Sequence, residues 1–169
     1  MFILARAVVY GTFFVGFLLV FLPARVLTWS GITAPAPLGA LPIVGIVVAI
    51  AGAAVAASCI LTFAFVGRGT PAPFDPPRQL VVRGPYRFVR NPMYLGAAAA
   101  LLGAALYYQS LALAVYAIVF LLAMHAFVMF YGEPALRRRF GAAYEDYCRR
   151  IKRWQPTIRP RRDVTESKA

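Results

Sequence analysis

One run of this chain combines a helix start with charged and polar side chains suited to holding an anion. Arg90-Asn91-Pro92-Met93-Tyr94-Leu95-Gly96 opens an apolar stretch. Asn is favoured at a helix N-cap and Pro at the first helical position, so a helix is predicted to begin here. Its free N–H groups, its dipole and Arg90 could together hold a carboxylate or phosphate. A capped helix start whose arginine reaches the membrane interface would explain the same residues.

Two ionisable side chains stand near the end of a later apolar run. Glu133 is the only acid between Asp75 and Glu145, and Pro134 follows it. It could be the counter-charge of a cationic ligand, or the first acid of a new helix, where the helix dipole favours it. His125, the only histidine, lies about two turns earlier. Ionisable groups inside a span are costly, which favours a functional role over a neutral imidazole bonded to a neighbouring helix.

A third candidate is the pair of glycines in Gly67-Arg68-Gly69. Two glycines allow the backbone to approach a ligand closely, although a plain helix C-terminus would explain them too. The two cysteines, Cys59 and Cys148, have the spacing of neither a zinc site nor a redox pair. No metal site is therefore expected.

The elements that would position these residues are apolar helices. The chain has 169 residues, of which 61% are hydrophobic and 14% charged, whereas a soluble domain has about 45–50% apolar and about 25% charged residues. No charged side chain occurs between Arg25 and Arg68, or between Arg90 and Glu133. Each gap has room for two spans of roughly 20 residues, or for one span and a loop. We therefore predict an all-α, polytopic membrane helix bundle with about four transmembrane helices.

The span boundaries follow from proline, glycine and polar residues. The first span is predicted at about 7–24, ended by Pro23 and Arg25, and the second at about 41–66. The third begins at Asn91-Pro92, a short turn follows at 107–110, and the fourth covers about 111–132. A cleaved signal peptide is an alternative for the first stretch, because one Arg and a short apolar run precede Ala34-Pro35-Ala36.

Charge sets the predicted orientation. Four spans place both termini, loop 68–90 and the tail from Arg137 on one side, and these segments are strongly basic. The opposite loops carry almost only Arg25, so the positive-inside bias predicts cytoplasmic N- and C-termini. The net charge of +12 would also suit nucleic acid. Because the charge sits between apolar spans, we expect no nucleic-acid partner.

The C-terminal part is predicted to be a basic amphipathic helical segment. Its apolar side chains recur at steps of four, four, three and four, which is one helical stripe, and Gly141 is a candidate break. Such a segment would lie on the membrane, with its stripe down and its cations near anionic lipid headgroups. The stripe consists of Leu136, Phe140, Tyr144, Tyr147 and Ile151.

Two runs and a set of later residues resemble one known family. The runs are residues 67–74 (GRGTPAPF) and 84–96 (GPYRFVRNPMYLG). The family is that of the integral membrane methyltransferases, which includes the isoprenylcysteine carboxyl methyltransferases and the phospholipid N-methyltransferases. The resemblance covers about residues 67–156, just over half of the chain. The later residues at matching intervals are Glu133, Leu136, Phe140-Gly141, Tyr144, Tyr147, Arg153-Trp154 and Pro156.

The resemblance implies S-adenosyl-L-methionine as methyl donor and a lipophilic substrate that enters from the bilayer. The predicted organisation is a transmembrane bundle, residues 1–133, with inner loop 68–90, followed by a cytoplasmic segment 134–169, which the resemblance implies completes the cofactor site. Arg90 and Glu133 are the implied catalytic residues. Glu133 would pair with the donor's ammonium. The implied cofactor-binding residues are Gly67, Gly69, Tyr86, Asn91, Pro92, Met93, Tyr94, Gly96, His125, Glu133, Tyr144 and Tyr147.

Two departures from the family pattern bear on the acceptor. Gly132-Glu133 stands where the family has paired acids, and Asn91 stands where the carboxyl methyltransferases usually have His. The Asn-Pro-Met-Tyr form is closer to the phospholipid enzymes, but a phospholipid amine and a prenylcysteine-like carboxylate both stay open. The chain also resembles NADPH-dependent membrane sterol reductases, and a non-enzymatic lipid-binding protein is the third alternative. Met93 and Glu133-Pro134 favour the methyltransferases. The sequence does not indicate an oligomeric state.

Overall fold

The computed structural model describes residues 16–35, 37–67 and 79–157, and only the backbone of Ala64. Within these ranges every regular element is a helix. The helices are α1 (Leu22–Trp29), α2 (Ala40–Thr62), α3 (Pro92–Tyr108), α4 (Leu111–Phe127), α5 (Glu133–Phe140) and α6 (Ala142–Arg150). A π-helical turn, Gly16–Phe21, leads into α1, and a second one, Phe63–Gly67, extends α2. A third, Val128–Gly132, joins α4 to α5, and a 3-10 turn, Gly84–Arg87, precedes α3.

Two continuous helical runs are long and apolar enough to cross a membrane. They are Ala40–Gly67, with 28 residues, and Leu111–Phe140, with 30, whose apolar part ends at Gly132. Two shorter apolar helices, Gly16–Trp29 and Pro92–Tyr108, lie beside them. Large side chains such as Val47 and Leu122 point away from the protein, as side chains facing lipid would. The predicted all-α bundle of about four spans is confirmed, whereas its division into 1–133 and 134–169 stays a prediction.

Helices α2 and α3 pack backbone against backbone through two pairs of glycines. Gly45 lies against Gly103, and Gly52 lies against Gly96. A Cβ atom added at Gly103 would stand 2.4 Å from the backbone nitrogen of Ala49. Membrane helices use small residues for such close approach. This contact fixes the start of α3, and with it Arg90 and Asn91, relative to the end of α2.

Helices α3 and α4 form a hairpin through the turn predicted at 107–110. Gln109 has a left-handed backbone with φ of 49° and ends α3. Buried Ser110 caps α4 because its hydroxyl oxygen accepts a hydrogen bond from Leu113 N at 3.2 Å. The hydroxyl of Tyr116 on α4 donates to the carbonyl oxygen of Leu18 at 2.7 Å. The turn prediction is confirmed, and α4 is held against the helical turn that precedes α1.

The sequence predicts that the first helix ends at about residue 24, but in the structure it continues to Trp29. Pro23 does not stop it, because it is the second residue of α1 and follows a π-helical turn. Pro23 lies inside the continuous helix Gly16–Trp29, where the N–H that it lacks removes one backbone hydrogen bond, and the π-helical turn before it lets the helix continue. Arg25 remains exposed, with its guanidinium 5.6 Å from the centre of the Trp29 ring. The predicted start at residue 7 lies outside the described residues.

The C-terminal segment breaks at Gly141, as predicted, where φ is +49°. Its apolar stripe, however, faces the protein. Tyr144, Tyr147 and Ile151 are 2%, 6% and 5% exposed and pack with Leu80 in one cluster. The prediction that the stripe faces the bilayer is therefore wrong for these three residues. The protein interior offers the Tyr147 hydroxyl a backbone acceptor, which lipid tails do not.

Candidate functional site

The segment that follows α6, residues 152–157, runs back along residues 88–91, the entry to α3. Below we call residues 152–157 the C-terminal strap. The contact joins the last part of the described chain to the start of a membrane helix, so the start of α3 and the end of α6 lie together. Three hydrogen bonds hold it: Arg90 N to Lys152 O at 3.0 Å, Thr157 N to Phe88 O at 2.7 Å, and Asn91 Nδ2 to Arg153 O at 3.3 Å.

Asn91 stands at the N-cap position of α3, as predicted, and Pro92 is the first helical residue. The Asn91 side chain nevertheless makes no capping hydrogen bond, because its amide donates to the strap at Arg153 O instead. The prediction that Asn91 caps α3 through its side chain is therefore wrong. The Asn91 side chain therefore accepts no hydrogen bond from the first backbone N–H groups of α3, and the helix dipole there favours negative charge.

Glu133 is the centre of the site, since its carboxylate is 4% exposed and surrounded by guanidinium groups. Arg153 binds it with two hydrogen bonds, Nε to Oε1 at 2.7 Å and Nη2 to Oε2 at 2.9 Å. Arg90 Nη1 lies 3.2 Å from Oε1, and Arg137 Nη2 lies 4.0 Å from Oε2. Paired N–H bonds of this kind combine charge with fixed geometry. One acid among three cations leaves the site with surplus positive charge.

These contacts keep Glu133 ionised, even though it is buried at the first position of α5. Burial raises the pKa of its carboxyl group, but the hydrogen bond from Arg153 and the charges of Arg90, Arg153 and Arg137 lower it more. The net effect is a pKa below the ordinary value of a glutamate. The carboxylate is therefore charged at neutral pH and suited to binding a cation.

Arg90 is the most enclosed cation of the site. Its side chain is 12% exposed, and its Nη1 atom also lies 2.6 Å from the sulfur of Cys148. Its buried Nε atom has no hydrogen-bond acceptor among the residues that the structure describes. A buried guanidinium N–H without an acceptor is costly. Arg90 therefore has spare capacity for an anionic group of a ligand.

His125 is bonded to the C-terminal strap. Its Nδ1 atom accepts a hydrogen bond of 2.9 Å from Trp154 Nε1, and the two ring centres are 5.7 Å apart. Because an indole N–H can only donate, Nδ1 carries no proton in this contact. This contact is of the kind that the alternative interpretation gave, an imidazole bonded to another part of the protein, with the strap as partner instead of a helix. A direct role of His125 at a cofactor stays a prediction.

Three tyrosines join the loop before α3 to α6. The hydroxyl of Tyr147 donates to the carbonyl oxygen of Tyr86 at 2.6 Å in a buried contact. Burial, together with neighbouring ionisable groups, raises the pKa of Tyr86, Tyr144 and Tyr147. These phenols therefore stay protonated at neutral pH. They hold the loop and α6 together, and their direct contact with a cofactor stays a prediction.

For two other predicted site residues, Gly96 and Met93, the structure shows contacts that belong to helix and core packing. Gly96 faces α2, where an added Cβ would lie 2.7 Å from Gly52 O, so helix packing accounts for this glycine. Met93 packs with the cluster of Cys59, Val81 and Tyr86. Tyr94 is half-buried on the first turn of α3, and Gly67 is buried at the end of the helical run from α2. Gly69 lies outside the described residues. For all five, a contact with a cofactor stays a prediction.

The residues missing from the sequence prediction are Arg153 and Trp154, the strap residues that contact Glu133 and His125. Their interval after Tyr147 was part of the resemblance, but no local pattern gave them a role. In the described part of the chain no group of three His, Cys, Asp or Glu side chains could hold a metal. The arrangement is suited to binding charged groups at one end of the spans.

The fold and site define an apolar helical protein with a buried carboxylate–arginine cluster where its spans end. Residues 41–143 match the model of the phospholipid methyltransferase family. The match covers more than half of the chain, so this protein belongs to that family of membrane methyltransferases, and the predicted resemblance is confirmed. No curated protein and no solved structure matches the chain. Arg153 and Trp154 lie beyond the matched residues.

Proposed function

We propose that this protein transfers a methyl group from S-adenosyl-L-methionine to a lipophilic acceptor in the bilayer. The observation that carries the proposal is the buried Glu133 carboxylate, held beside the N-terminus of α3 where a membrane span ends. A polar cofactor at this level can meet an acceptor whose tails remain in lipid. Family membership supports methyl transfer as the reaction.

The residues present fit the charged groups of this donor. The cofactor supplies an electrophilic methyl group on a sulfonium, and its methionine part carries an ammonium and a carboxylate. Glu133 is charged and buried, and suits the ammonium. Arg90, whose Nε atom has spare donor capacity, and the N-terminus of α3 suit a carboxylate. The site therefore contains both complementary charges.

The chain's part in the reaction is to orient the reactants and exclude water. Methyl transfer is an in-line displacement, so correct placement lowers the barrier more than a strong base would. The strap bonds to the α3 entry, to Glu133 and to His125, and so covers this end of the bundle with protein. If the acceptor is an amine, a site of low polarity favours its neutral, nucleophilic form.

We further propose that the acceptor is a phospholipid amine. The Asn-Pro-Met-Tyr run that begins at Asn91 resembles that of the phospholipid enzymes more closely than that of the carboxyl enzymes. The surplus of arginine around Glu133 suits a headgroup phosphate. The test is transfer of a labelled methyl group from S-adenosylmethionine into phosphatidylethanolamine vesicles, or into vesicles that carry a prenylcysteine-like carboxylate. Label in the amine lipid supports the proposal. Label only in the carboxylate moves the protein to the carboxyl branch, and label in neither contradicts the assignment.

The proposed membrane arrangement has cytoplasmic N- and C-termini and a basic surface in contact with anionic lipid headgroups. Arg138, Arg139 and Arg149 are exposed on α5 and α6. Cations next to a membrane surface contribute roughly 1 kcal/mol each to binding anionic lipid. Flotation with vesicles cannot test an integral protein, so we propose native mass spectrometry of lipids retained by the purified protein. Retention of anionic lipid that falls in Arg138→Gln/Arg139→Gln supports this partner, and unchanged retention contradicts it.

A further inference from the structure

The ion pair between Glu133 and Arg153 has the same two charges as the amino-acid end of the proposed cofactor. Both oxygens of Glu133 are bonded to Arg153, at 2.7 and 2.9 Å, in a site where the carboxylate is 4% exposed. A ligand ammonium that binds Glu133 must therefore compete with this guanidinium. The displaced guanidinium would then need an anion of its own, since a desolvated charge without a partner is costly.

Of the two guanidinium groups that lie closest to Glu133, that of Arg153 is the less enclosed; Arg137 is 50% exposed, but it lies 4.0 Å from Glu133 and its Nε atom is bonded to Glu145. The Arg153 side chain is 30% exposed, compared with 12% for Arg90, and it lies in the strap beyond the end of α6. Arg90 is fixed by its backbone bond to Lys152 O and by the contact of its side chain with Cys148. Arg153 is therefore the residue that can change its partner, because its guanidinium can turn while its backbone carbonyl stays bonded to Asn91.

We propose that Arg153 is a cofactor-binding residue that exchanges partners: it leaves Glu133 when a ligand ammonium binds there, and pairs with the carboxylate of the same ligand. One ion pair is thereby replaced by two, and no buried charge is left alone. This inference rests on the proposed function, because it assumes a ligand with an amino-acid end. It adds a residue beyond the matched region to the site.

The exchange makes the site selective for a complete amino-acid group. A ligand with the ammonium but without the carboxylate would displace Arg153 and leave its guanidinium without a partner. A charge-assisted hydrogen bond contributes about 1.5–3 kcal/mol, which corresponds to a preference of roughly ten- to a hundredfold for the complete ligand. This part of the preference comes from Arg153 and should be lost with its guanidinium, whereas Arg90 and the N-terminus of α3 remain available to the ligand carboxylate.

The test is a binding cycle between two proteins and two ligands. Calorimetry on the purified full-length protein compares S-adenosylhomocysteine with its decarboxylated analogue, which keeps the amine, the thioether and the adenosine. The parent should prefer S-adenosylhomocysteine, and Arg153→Gln should lower this ratio by about ten- to a hundredfold, with any preference that is left coming from Arg90 and the N-terminus of α3. Any general effect of freeing Glu133 changes both affinities alike and cancels in the ratio. Arg149→Gln is the matched control, because Arg149 is 73% exposed and pairs with Asp146; its ratio should equal that of the parent.

The same ratio in Arg153→Gln as in the parent would overturn the inference while leaving the proposed function standing. A parent that binds neither ligand would overturn both. Arg153→Lys serves as a second variant if Arg153→Gln does not fold, because it keeps the positive charge and loses the paired N–H geometry. We expect a ratio several-fold below that of the parent for Arg153→Lys, and a parental ratio would contradict the exchange.

Discussion

Arg153 and Glu133 form a two-bond ion pair although 20 residues separate them in the chain. Glu133 begins α5 at the end of a membrane span, and Arg153 lies in the strap beyond the last described helix. The pair therefore closes the C-terminal part of the chain onto the membrane bundle. The cluster at the end of the spans is complete only when residues well beyond the bundle have folded back.

Replacing Glu133 by Gln should weaken both cofactor binding and folding. Loss of the charge removes the proposed partner of the donor's ammonium, so affinity for S-adenosylhomocysteine should fall by roughly ten- to a hundredfold. Removing one partner from a buried ion pair also costs about 3 kcal/mol, because Arg90 and Arg153 lose their counter-charge. Calorimetry measures the first effect, and a melting curve in detergent measures the second.

The matched control for this substitution is Glu145→Gln. Glu145 is 49% exposed and pairs only with Arg137 among the ion pairs of the described residues. We expect parental affinity and a change in unfolding free energy of less than about 1 kcal/mol. Parental affinity in Glu133→Gln, together with early melting, would mean that Glu133 is structural and lies outside the cofactor site.

Tyr147→Phe should destabilise the protein at neutral pH. It should also make the stability of the protein fall less steeply as the pH rises above about 10. The substitution leaves the buried carbonyl oxygen of Tyr86 without its donor, at a cost of about 1–3 kcal/mol. Burial raises the pKa of Tyr147 in the folded state. Its contribution is thus fully present below the unfolded phenol pKa of about 10 and is lost as pH rises above that value.

Melting curves from pH 8 to pH 11 measure this effect. The parent should lose stability above about pH 10 more steeply than Tyr147→Phe. Some loss should remain in the variant, because the pKa values of Tyr86 and Tyr144 are also raised. If the melting temperatures of parent and variant depend on pH in the same way, ionisation of Tyr147 does not contribute to the loss of stability, and the prediction is contradicted.

Gly103→Ala should separate α2 from α3. The new Cβ would lie 2.4 Å from Ala49 N and 2.6 Å from Gly45 O, both backbone atoms that cannot move aside independently. Overpacking of this kind costs about 1–3 kcal/mol. Gly16→Ala is the control, because nothing lies within 4 Å of its added Cβ. Equal melting temperatures for the two variants would contradict the close packing of these helices.

Topology can be tested by cysteine accessibility in a variant without Cys59 and Cys148. Single cysteines at exposed Gln79 and Gln155 should react with an impermeant reagent from the cytoplasmic side. A cysteine at exposed Thr33 should react from the opposite side. The basic character of loop 68–90 and of the tail motivates this expectation. Labelling of Gln79 and Gln155 positions from different sides would rule out the four-span arrangement.

Much of the bundle was predictable because its signals are local. A charge-free stretch needs no partner to indicate a span, and Pro92 after Asn91 marks a helix start whatever packs around it. The turn at Gln109 and the cap at Ser110 likewise depend on neighbouring residues alone. The end of α1 was misplaced because the effect of Pro23 depends on the π-helical turn before it.

The contacts of the site were less predictable because they join distant parts of the chain. The chain has 18 lysines and arginines, and no local pattern shows that Arg153 is the one that binds Glu133 through two bonds. The position of Asn91 before Pro92 indicates a helix start, but it does not show that the Asn91 amide donates to Arg153 O in the strap. The sequence predicts that the apolar stripe of residues 136–151 faces lipid, which is wrong for Tyr144, Tyr147 and Ile151. Periodicity reveals an apolar face without revealing what covers it.

The most direct test of the central claim is whether the purified protein is stabilised by S-adenosylhomocysteine and not by NADPH. A ligand at about a hundred times its dissociation constant stabilises the folded protein by roughly 2.7 kcal/mol. We predict a clear rise in melting temperature with S-adenosylhomocysteine and none with NADPH. A rise with NADPH and none with S-adenosylhomocysteine would contradict the proposed cofactor.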